Sequence, residues 1–382
     1  MKKTIAFLLS LALLCSCCLS AVAEKKKISV VATIFPVYDW AREVIGDCDN
    51  VNLILLQDSG VDPHSYQPTV QDIVKVTTGD VFIYVGGESD GWVEGALANA
   101  ANSSQKVVNL VEAMGDAIKM EEIVEGMEHE HHHDHGEDDE DEDHDHDHDH
   151  DHEDEDEDED HDHEDHDHDH EDEDEDHDDH DHEDHDHDHD HDDHEHDHEH
   201  EHEDEADEHV WLSLRNAQKL VADIAAVLSE ADPANAEKYS ANAAAYIEKL
   251  AALDARYAET VNAAAFKTIL FGDRFPFRYL ADDYGLTYYA AFSGCSAESE
   301  ASFATVVFLA GKVDELKLPA VLTIENPKTR IAETIVESTS SKNQKILSLD
   351  SMQGTTAADV AAGVTYLSVM ESNLEILARA LN

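Results

Sequence analysis

Residues 232–265 read DPANAEKYSANAAAYIEKLAALDARYAETVNAAA, and this stretch determines how the rest of the chain is arranged. Asp232 is a suitable helix N-cap, and Pro233 fits the first helical position because its missing N–H is not needed there. The residues that follow are mainly strong helix formers such as Ala, Glu, Lys and Leu. A helix of about 30 residues is roughly 45 Å long, which is the length of a domain. We predict a stiff connecting helix over 232–265, with a packing helix of a larger bundle as the alternative.

On both sides of this helix, short apolar strands alternate with helices, which is typical of parallel sheets covered by helices. The sequence therefore predicts an α/β fold with two lobes, each with a mostly parallel sheet flanked by helices, joined by one long rigid helix. The first lobe comprises 24–127 and 209–231, and the second comprises 266–382. The last helix is expected over 359–381. The strands are expected at 28–34, 51–56, 81–85, 107–110, 268–271, 287–292, 320–324 and 345–349.

The first lobe is interrupted by an insert, residues 128–208, in which 27 of 81 residues are His and 52 are Asp or Glu. Because it has almost no apolar side chains, it cannot bury enough surface to offset the entropy of ordering, and we predict that it is disordered. Alternating His and Asp places a nitrogen donor beside a carboxylate that can orient it, which suits Zn²⁺. We interpret the insert as a collector of metal ions, with a solvated acidic tail as the simpler alternative.

Only two of the 29 histidines lie outside the insert. His64 follows the second predicted strand, and the loops that leave the carboxyl ends of parallel strands are where such sheets bind ligands. His209 stands where the insert returns to the folded part of the chain. The two positions predict one fixed metal site, to which the insert supplies ions. The alternatives are that His64 is an ordinary loop residue and that His209 is the last member of the insert.

The charge of the chain indicates which partners it can have. The net charge is −66, of which the insert contributes −52 and the rest −14. Nucleic-acid binding is disfavoured because phosphate contacts need clustered Lys and Arg. An anionic membrane surface would repel the chain, whereas divalent cations are natural partners. The chain also lacks a Gly-rich loop ending in Gly-Lys-Ser/Thr, which excludes an ATPase.

The five cysteines fall into two groups. Three lie within residues 1–23, which read as an export signal with Lys2 and Lys3 before an apolar run too short to span a membrane. Lipidation of Cys17 competes with cleavage after Ala23, so we expect an extracytoplasmic protein that is either lipid-anchored or secreted or periplasmic. The other two, Cys48 and Cys295, are paired or free; two cysteines so far apart in sequence decide nothing.

Five short segments carry a further signal by their order and spacing. They are Asp62-Pro63-His64 with Tyr66 and Pro68, His209-Val210-Trp211-Leu212, Tyr284-Gly285-Leu286, Glu300-Ala301-Ser302 and Leu349-Asp350-Ser351. Together with the insert, they resemble the zinc- and manganese-type solute-binding proteins of bacterial ABC transporters, over essentially the whole mature chain. The insert points to the zinc branch of that family. The resemblance implies a monomeric protein, not an enzyme, that captures a metal outside the cytoplasmic membrane and delivers it to a permease driven by a separate ATPase.

The resemblance also implies which residues bind the metal. His64 and His209 match the first two ligand positions of the family, and Asp350 matches its fourth, carboxylate position. The third position, usually His or Glu, falls on Gly272, which has no side chain. The groups expected to take its place are, in order, Asp273, Glu325, a water molecule and a histidine of the insert.

Two of these expected ligands have structural alternatives. Asp350 would equally suit the end of a strand, where a carboxylate can cap a turn. Asp273 has Arg274 and Arg278 as neighbours and would pair with one of them more readily than with a metal.

The ligand count favours zinc. Two His, Asp350 and one further group satisfy the four ligands that Zn²⁺ prefers. Mn²⁺ prefers more oxygen ligands and higher coordination, so a manganese-type binding protein is the first alternative. A metal-buffering surface protein without transport is the second. A hydrolytic metalloenzyme is the alternative from a different class. It would need an open coordination position and a general base, and the chain has no His-Glu-x-x-His helix, but the missing ligand at Gly272 would leave such a position.

Overall fold

The computed structural model of the protein describes residues 27–128, 205–296, 300–325 and 329–382. The predicted export signal, Cys17 and most of the His-rich insert lie outside these ranges. No helix within them is both long and apolar enough to cross a membrane.

Eight strands in the described residues form two parallel sheets. They are β1 (Ile28–Ala32), β2 (Val51–Leu55), β3 (Val81–Tyr84), β4 (Lys106–Asn109), β5 (Thr268–Arg274), β6 (Thr287–Phe292), β7 (Ala320–Thr323) and β8 (Lys345–Ser348). The sheet of the first lobe has the order β2-β1-β3-β4, and that of the second has the order β6-β5-β7-β8. All the pairings between these strands are parallel, as their apolar sequences predict. The predicted fold class is confirmed.

Helices cover both sheets. They are α1 (Phe35–Ile45), α2 (Val70–Thr78), α3 (Trp92–Leu97), α4 (Leu110–Met114), α5 (Leu214–Ala231), α6 (Ala236–Ala263), α7 (Arg278–Tyr284), α8 (Phe303–Leu316), α9 (Arg330–Ser338), α10 (Ala357–Ala361) and α11 (Tyr366–Ala380). The single terminal helix expected over 359–381 is instead the pair α10 and α11. Between them Gly363 has a φ of 97°, a left-handed value that glycine adopts readily and that a continuous helix does not allow.

The long helix α6 packs along both lobes. It contacts α1 and α5 of the first lobe and α11 of the second. The hydroxyl of Tyr257, in α6, donates a hydrogen bond of 2.6 Å to the carbonyl of Met370 in α11. The predicted long helix is confirmed, and its position against both lobes makes it a fixed support. Its buried residues recur every three or four positions and are Tyr239, Ala243, Tyr246, Leu250, Leu253, Tyr257 and Val261.

The segment 207–213 is bonded to the second lobe at several points. The indole N–H of Trp211 donates to the carbonyl of Ser351 at 2.9 Å. The carbonyl of Trp211 accepts from the hydroxyl of Tyr366 at 2.7 Å, and that of Asp207 accepts from Tyr279 at 2.8 Å. These bonds fix the backbone on both sides of His209, so its ring is held where the lobes meet.

The end of the predicted insert is part of the folded body. Residues 205–208 run beside residues 119–121, and the amide of Asp207 donates to the carbonyl of Lys119 at 2.8 Å. The side chains of Asp207 and Glu208 are buried. The last four positions of the range 128–208 therefore lead directly into the segment that carries His209.

Candidate metal centre

His64 lies in the loop after β2, in a short 3₁₀ turn over Pro63–Ser65. Asp62 caps this turn, because its Oδ1 accepts the amide N–H of His64 at 3.1 Å. The same oxygen lies 2.8 Å from Nδ1 of the imidazole, so Nδ1 carries the proton and donates it to the carboxylate. The Nε2 lone pair of His64 is thereby left for another partner, which is the usual arrangement of a metal-binding histidine.

His209 repeats this arrangement in a second Asp-x-His sequence. Oδ1 of Asp207 accepts the amide N–H of His209 at 2.9 Å and lies 2.9 Å from its Nδ1. The imidazole is fully buried. Burial alone would lower the pKa of His209, but the hydrogen bond to Asp207 and the charges of Asp207, Glu208 and Glu121 outweigh it, and the net effect is a raised pKa. The surrounding carboxylates therefore favour positive charge at this ring.

The two imidazoles lie close together where the first lobe meets the second. Their ring centroids are 5.5 Å apart, with 35° between the ring planes. One ligand atom of each ring and Sγ of Cys295 all lie within 4.8 Å of one another. Donors bound at about 2.0–2.3 Å to one Zn²⁺ lie roughly 3.3–3.8 Å apart, so small side-chain movements would let one ion reach all three.

Two polar groups lie next to the Nε2 atoms. Nε2 of His64 is 3.2 Å from Oε1 of Glu208 without the geometry of a hydrogen bond, and it is a buried nitrogen with no hydrogen-bond partner among the described residues. Nε2 of His209 is 2.9 Å from Nε2 of Gln353, whose amide donates to the imidazole lone pair. A cation between the two rings would meet the unpaired lone pair of His64 Nε2. It would also meet the lone pair of His209 Nε2 once the amide of Gln353 moved away.

A cavity of about 310 Å³ lies beside the histidines. Four glutamates and one thiol line it: Glu88, Glu121, Glu205, Glu208 and Cys295. Closely spaced carboxylates create a negative potential, which attracts cations to the cavity.

Asp350 follows β8, as the sequence predicts, and belongs to its own turn. Its Oδ1 accepts the amide of Met352 at 2.8 Å, and its own amide donates to Asn373 at 2.8 Å. Burial and the charge of Glu325 raise the pKa of Asp350 to about 6. Among the described residues, Asp350 lies outside the group formed by the two histidines and Cys295. As a metal ligand it stays a prediction.

Asp273 is also bonded to backbone groups. Its Oδ1 accepts the amide of Arg274 at 2.9 Å and its Oδ2 accepts the amide of Ile324 at 3.2 Å. It too lies outside the group with the histidines, and as a ligand it stays a prediction. The two arginines expected to pair with it have other partners: Arg274 pairs with Asp62, and Arg278 pairs with Glu122.

Glu325, the second expected replacement ligand, supports a neighbouring loop. Its carboxylate accepts the amide and hydroxyl of Ser351, both at 2.7 Å, and the amide of Gln353 at 3.0 Å. These bonds hold the loop that brings Gln353 to His209.

Gly272, the position that lacks a ligand side chain, is tightly packed. A Cβ added there would lie 2.6 Å from Cα of Ala332 and 2.8 Å from its amide nitrogen. A side chain at 272 would therefore point into α9 rather than toward the histidines. The missing third ligand cannot come from this position.

Cys295 is the residue of this group that we did not single out from the sequence. Cys48 and Cys295 are both free thiols in the described part of the chain. Burial, together with the carboxylates of Glu121 and Glu208, raises the pKa of the Cys295 thiol. The available signal was its place after β6, because the loops at the carboxyl ends of parallel strands share one edge of the sheet.

Comparison with known proteins connects this geometry to a family. The family model described as "ZnuA: Zinc-uptake complex component A periplasmic" matches residues 30–380. The zinc-binding lipoprotein AdcA of Streptococcus pneumoniae is 31% identical over 373 residues, which cover 97% of this chain and 60% of AdcA. The chain thus spans about 60% of the length of that relative.

A second relative has nearly the same length as this chain. The high-affinity zinc uptake system protein ZnuA of Bacillus subtilis is 27% identical over 362 residues, covering 95% of this chain and 90% of that protein. Among solved structures, the Zn(II)-bound ZnuA-like domain of Streptococcus pneumoniae AdcA matches with a TM-score of 0.60 at 27% identity. The match covers 93% of this chain and 99% of that domain.

Proposed function

Because this chain belongs to the ZnuA family of zinc-uptake complex components, we propose that it captures Zn²⁺ outside the cytoplasmic membrane and delivers it to the permease of an ABC-type uptake system. One observation carries the proposal: His64 and His209 are 145 positions apart in the sequence, yet their ring centroids lie 5.5 Å apart. Relatives named for zinc binding, including AdcA and ZnuA, support the choice of metal.

The donor set supports zinc capture. Each Nδ1 is hydrogen-bonded to an aspartate, which leaves both Nε2 lone pairs for one ion and raises their basicity. A buried dication needs compensating negative charge, and Asp62, Asp207 and Glu208 all lie within 3.2 Å of an imidazole nitrogen. The ion would be held where the first lobe meets the second.

The same features favour a binding protein over an enzyme. Hydrolytic zinc sites keep an open position for water and place a general base beside it. Here the Asp62 and Asp207 carboxylates that could act as bases are hydrogen-bonded to Nδ1 atoms, and the His209 ring is fully buried. Membership of a solute-binding family agrees with this role.

The His-rich insert would serve as the collector. Residues 205–208 lead from it directly to His209 and line the acidic cavity with Glu205 and Glu208. Ions held weakly in a tethered segment reach an effective concentration in about the millimolar range at the site.

Calorimetric zinc titration tests this division of labour. The folded end of the insert must be kept, because Asp207 and Glu208 contact the histidines, so only residues 129–204 are replaced by a short Gly-Ser linker. We expect one tight site plus many weak sites in the full chain and one tight site after the replacement. His64→Ala should abolish the tight site and leave the weak ones. Absence of a tight site in the full chain would overturn the proposed function.

Transport is tested in cells that lack the chromosomal copy of this protein. Reintroduction of the full chain should restore zinc uptake, whereas the His64→Ala chain should not. Restoration by both chains would show that the site between the lobes does not supply the permease.

A further inference from the structure

We propose that Cys295 supplies a thiolate ligand to the ion held by His64 and His209, so that the centre has two imidazole nitrogens and one sulfur. The identity of the ion rests on the proposed function, whereas the geometry of the three side chains does not. Sγ of Cys295 and one nitrogen of each ring lie within 4.8 Å of one another. In the described part of the chain, this is the group of side chains that can share one ion.

The loop after β6 is built to bring Cys295 close to His209. A Cβ on the preceding residue, Gly294, would lie 3.1 Å from Cε1 and 3.2 Å from Nδ1 of the His209 ring. Glycine therefore lets the backbone pass against the imidazole at a distance that a larger residue would resist. The amide of Cys295 also donates to Oε1 of Glu121 at 3.0 Å, which fixes the orientation of the residue.

Cys295 takes the role for which position 272 is unsuitable. A side chain at Gly272 would meet the backbone of Ala332 in α9, so this position of β5 cannot supply the third ligand here. The next strand in the sheet, β6, pairs directly with β5 and ends at the same edge. A ligand from the loop after β6 therefore approaches the same point from the neighbouring strand.

A thiolate changes which metals the site accepts. Sulfur is a soft donor that favours Zn²⁺ and disfavours Mn²⁺, Mg²⁺ and Ca²⁺, which prefer oxygen. Binding forms a metal–sulfur bond and breaks the S–H bond, and the proton leaves to the solvent. Three protein ligands leave the fourth position of a tetrahedral Zn²⁺ to an oxygen such as that of Glu208, 3.2 Å from His64 Nε2.

Cobalt(II) provides a direct probe, because cobalt bound to a thiolate gives a charge-transfer absorption band in the near ultraviolet. The chain without its export signal, residues 24–382, is used, since Cys48 and Cys295 are its only cysteines. The insert 128–208 contains no cysteine, so its cobalt complexes cannot produce this band. We expect the band in the unsubstituted chain and in Cys48→Ser, whose site is in the core of the first lobe. Cys295→Ser should lose it.

Zinc affinity provides the second readout. Cys295→Ser should bind Zn²⁺ at least about 100-fold more weakly, because even the loss of a residue that only orients a metal ligand weakens binding by up to about 100-fold. Cys48→Ser should bind Zn²⁺ as tightly as the unsubstituted chain does. A retained band together with unchanged affinity in Cys295→Ser would overturn the assignment of Cys295 and leave the proposed function intact. If the unsubstituted chain had no tight zinc site, the proposed function itself would fail.

Alkylation of the unsubstituted chain needs no variant and so does not depend on a variant that folds. Excess Zn²⁺ should protect Cys295 from iodoacetamide, as measured by mass spectrometry of the peptide that contains it. Equal alkylation of Cys295 with and without Zn²⁺ would contradict ligation.

Discussion

Arg274, at the end of β5 in the second lobe, forms an ion pair with Asp62 in the first lobe. The other oxygen of the same carboxylate accepts the Nδ1 proton of His64. Burial alone would raise the pKa of Asp62, but the hydrogen bonds from His64 and Arg274 outweigh it and hold the pKa below its ordinary value. The carboxylate is therefore ionised at neutral pH. An arginine of one lobe thus fixes the group that orients a histidine of the other.

Asp62→Ala should weaken zinc binding by about 10–100-fold, the usual effect of losing a group that orients a metal-binding histidine. The reason is that Nδ1 would lose its acceptor and the charge of Arg274 would be left unpaired beside the site. Isothermal calorimetry of the full chain measures the change. The matched control is Glu371→Ala, which breaks an exposed ion pair with Arg256 and should leave zinc affinity unchanged. Equal affinities for Asp62→Ala and the control would show that the carboxylate does not orient the ligand.

Gly272→His places a histidine at the position that matches the third ligand of the family, and we expect no gain in zinc affinity. The new side chain would collide with the backbone of α9 at Ala332, and overpacking of this kind costs about 1–3 kcal/mol. Urea unfolding measures the loss of stability. The control is Gly311→Ala in α8, where an added Cβ meets nothing within 4 Å and the change should raise stability by up to about 1 kcal/mol. A tighter zinc site in Gly272→His would mean that β5 can turn this position toward the histidines.

Gln353→Ala should increase zinc affinity about fivefold. The amide of Gln353 donates to Nε2 of His209 at 2.9 Å, and Zn²⁺ can use this nitrogen only after that bond is broken. A hydrogen bond contributes about 1 kcal/mol, which corresponds to roughly a factor of five in a binding constant. Competition with a chelating dye measures the difference. Weaker binding by Gln353→Ala would indicate instead that the amide holds the ring in its binding position.

Asp39 makes the stability of the protein depend on pH. Its Oδ2 accepts the amide of Tyr366 in α11 at 2.8 Å, and burial raises its pKa to about 6, although Tyr366 and Arg42 partly oppose the rise. Because the folded state then binds a proton more tightly than the unfolded state, the free energy of unfolding falls as pH rises from about 4 through about 6. The difference between the ordinary pKa of an aspartate and about 6 corresponds to about 3 kcal/mol of unfolding free energy.

Asp39→Asn isolates this effect, since asparagine keeps an oxygen acceptor for Tyr366 and carries no charge. The free energy of unfolding of the variant, minus that of the unsubstituted chain, should grow by about 2–3 kcal/mol between about pH 4 and pH 7.5. Urea unfolding in the presence of a chelator measures it. A difference that is constant or shrinks with rising pH would contradict the raised pKa.

Much of the fold could be predicted because its signals are local. The central strands β1, β3, β5 and β7 are mostly buried, so each reads as a mainly apolar run. The long helix α6 shows its buried face at helical spacing. The break between α10 and α11 was missed, because the sequence Ala-Ala-Gly-Val does not reveal that Gly363 adopts a left-handed conformation rather than a helical one. The pair of histidines could be found by counting, since the folded part of the chain keeps only two.

The rest of the centre depends on contacts between residues far apart in sequence. Cys295 lies 86 positions after His209, and nothing in its neighbourhood shows that Gly294 passes against that imidazole. The pairing of Arg274 with Asp62 rather than with Asp273 likewise depends on which lobe faces which.

The sequence by itself determined two α/β lobes with parallel sheets, a long helix along them and two isolated histidines. It could do so because strand hydrophobicity, helix propensity and composition are properties of short stretches. Only the tertiary structure decided which other side chains surround those histidines. The packing of α9 against Gly272 leaves no room for a ligand side chain there, and the loop after β6 brings the thiol of Cys295 close to both histidines. Such proximity arises from the way the sheets and loops pack together, and no local pattern records it.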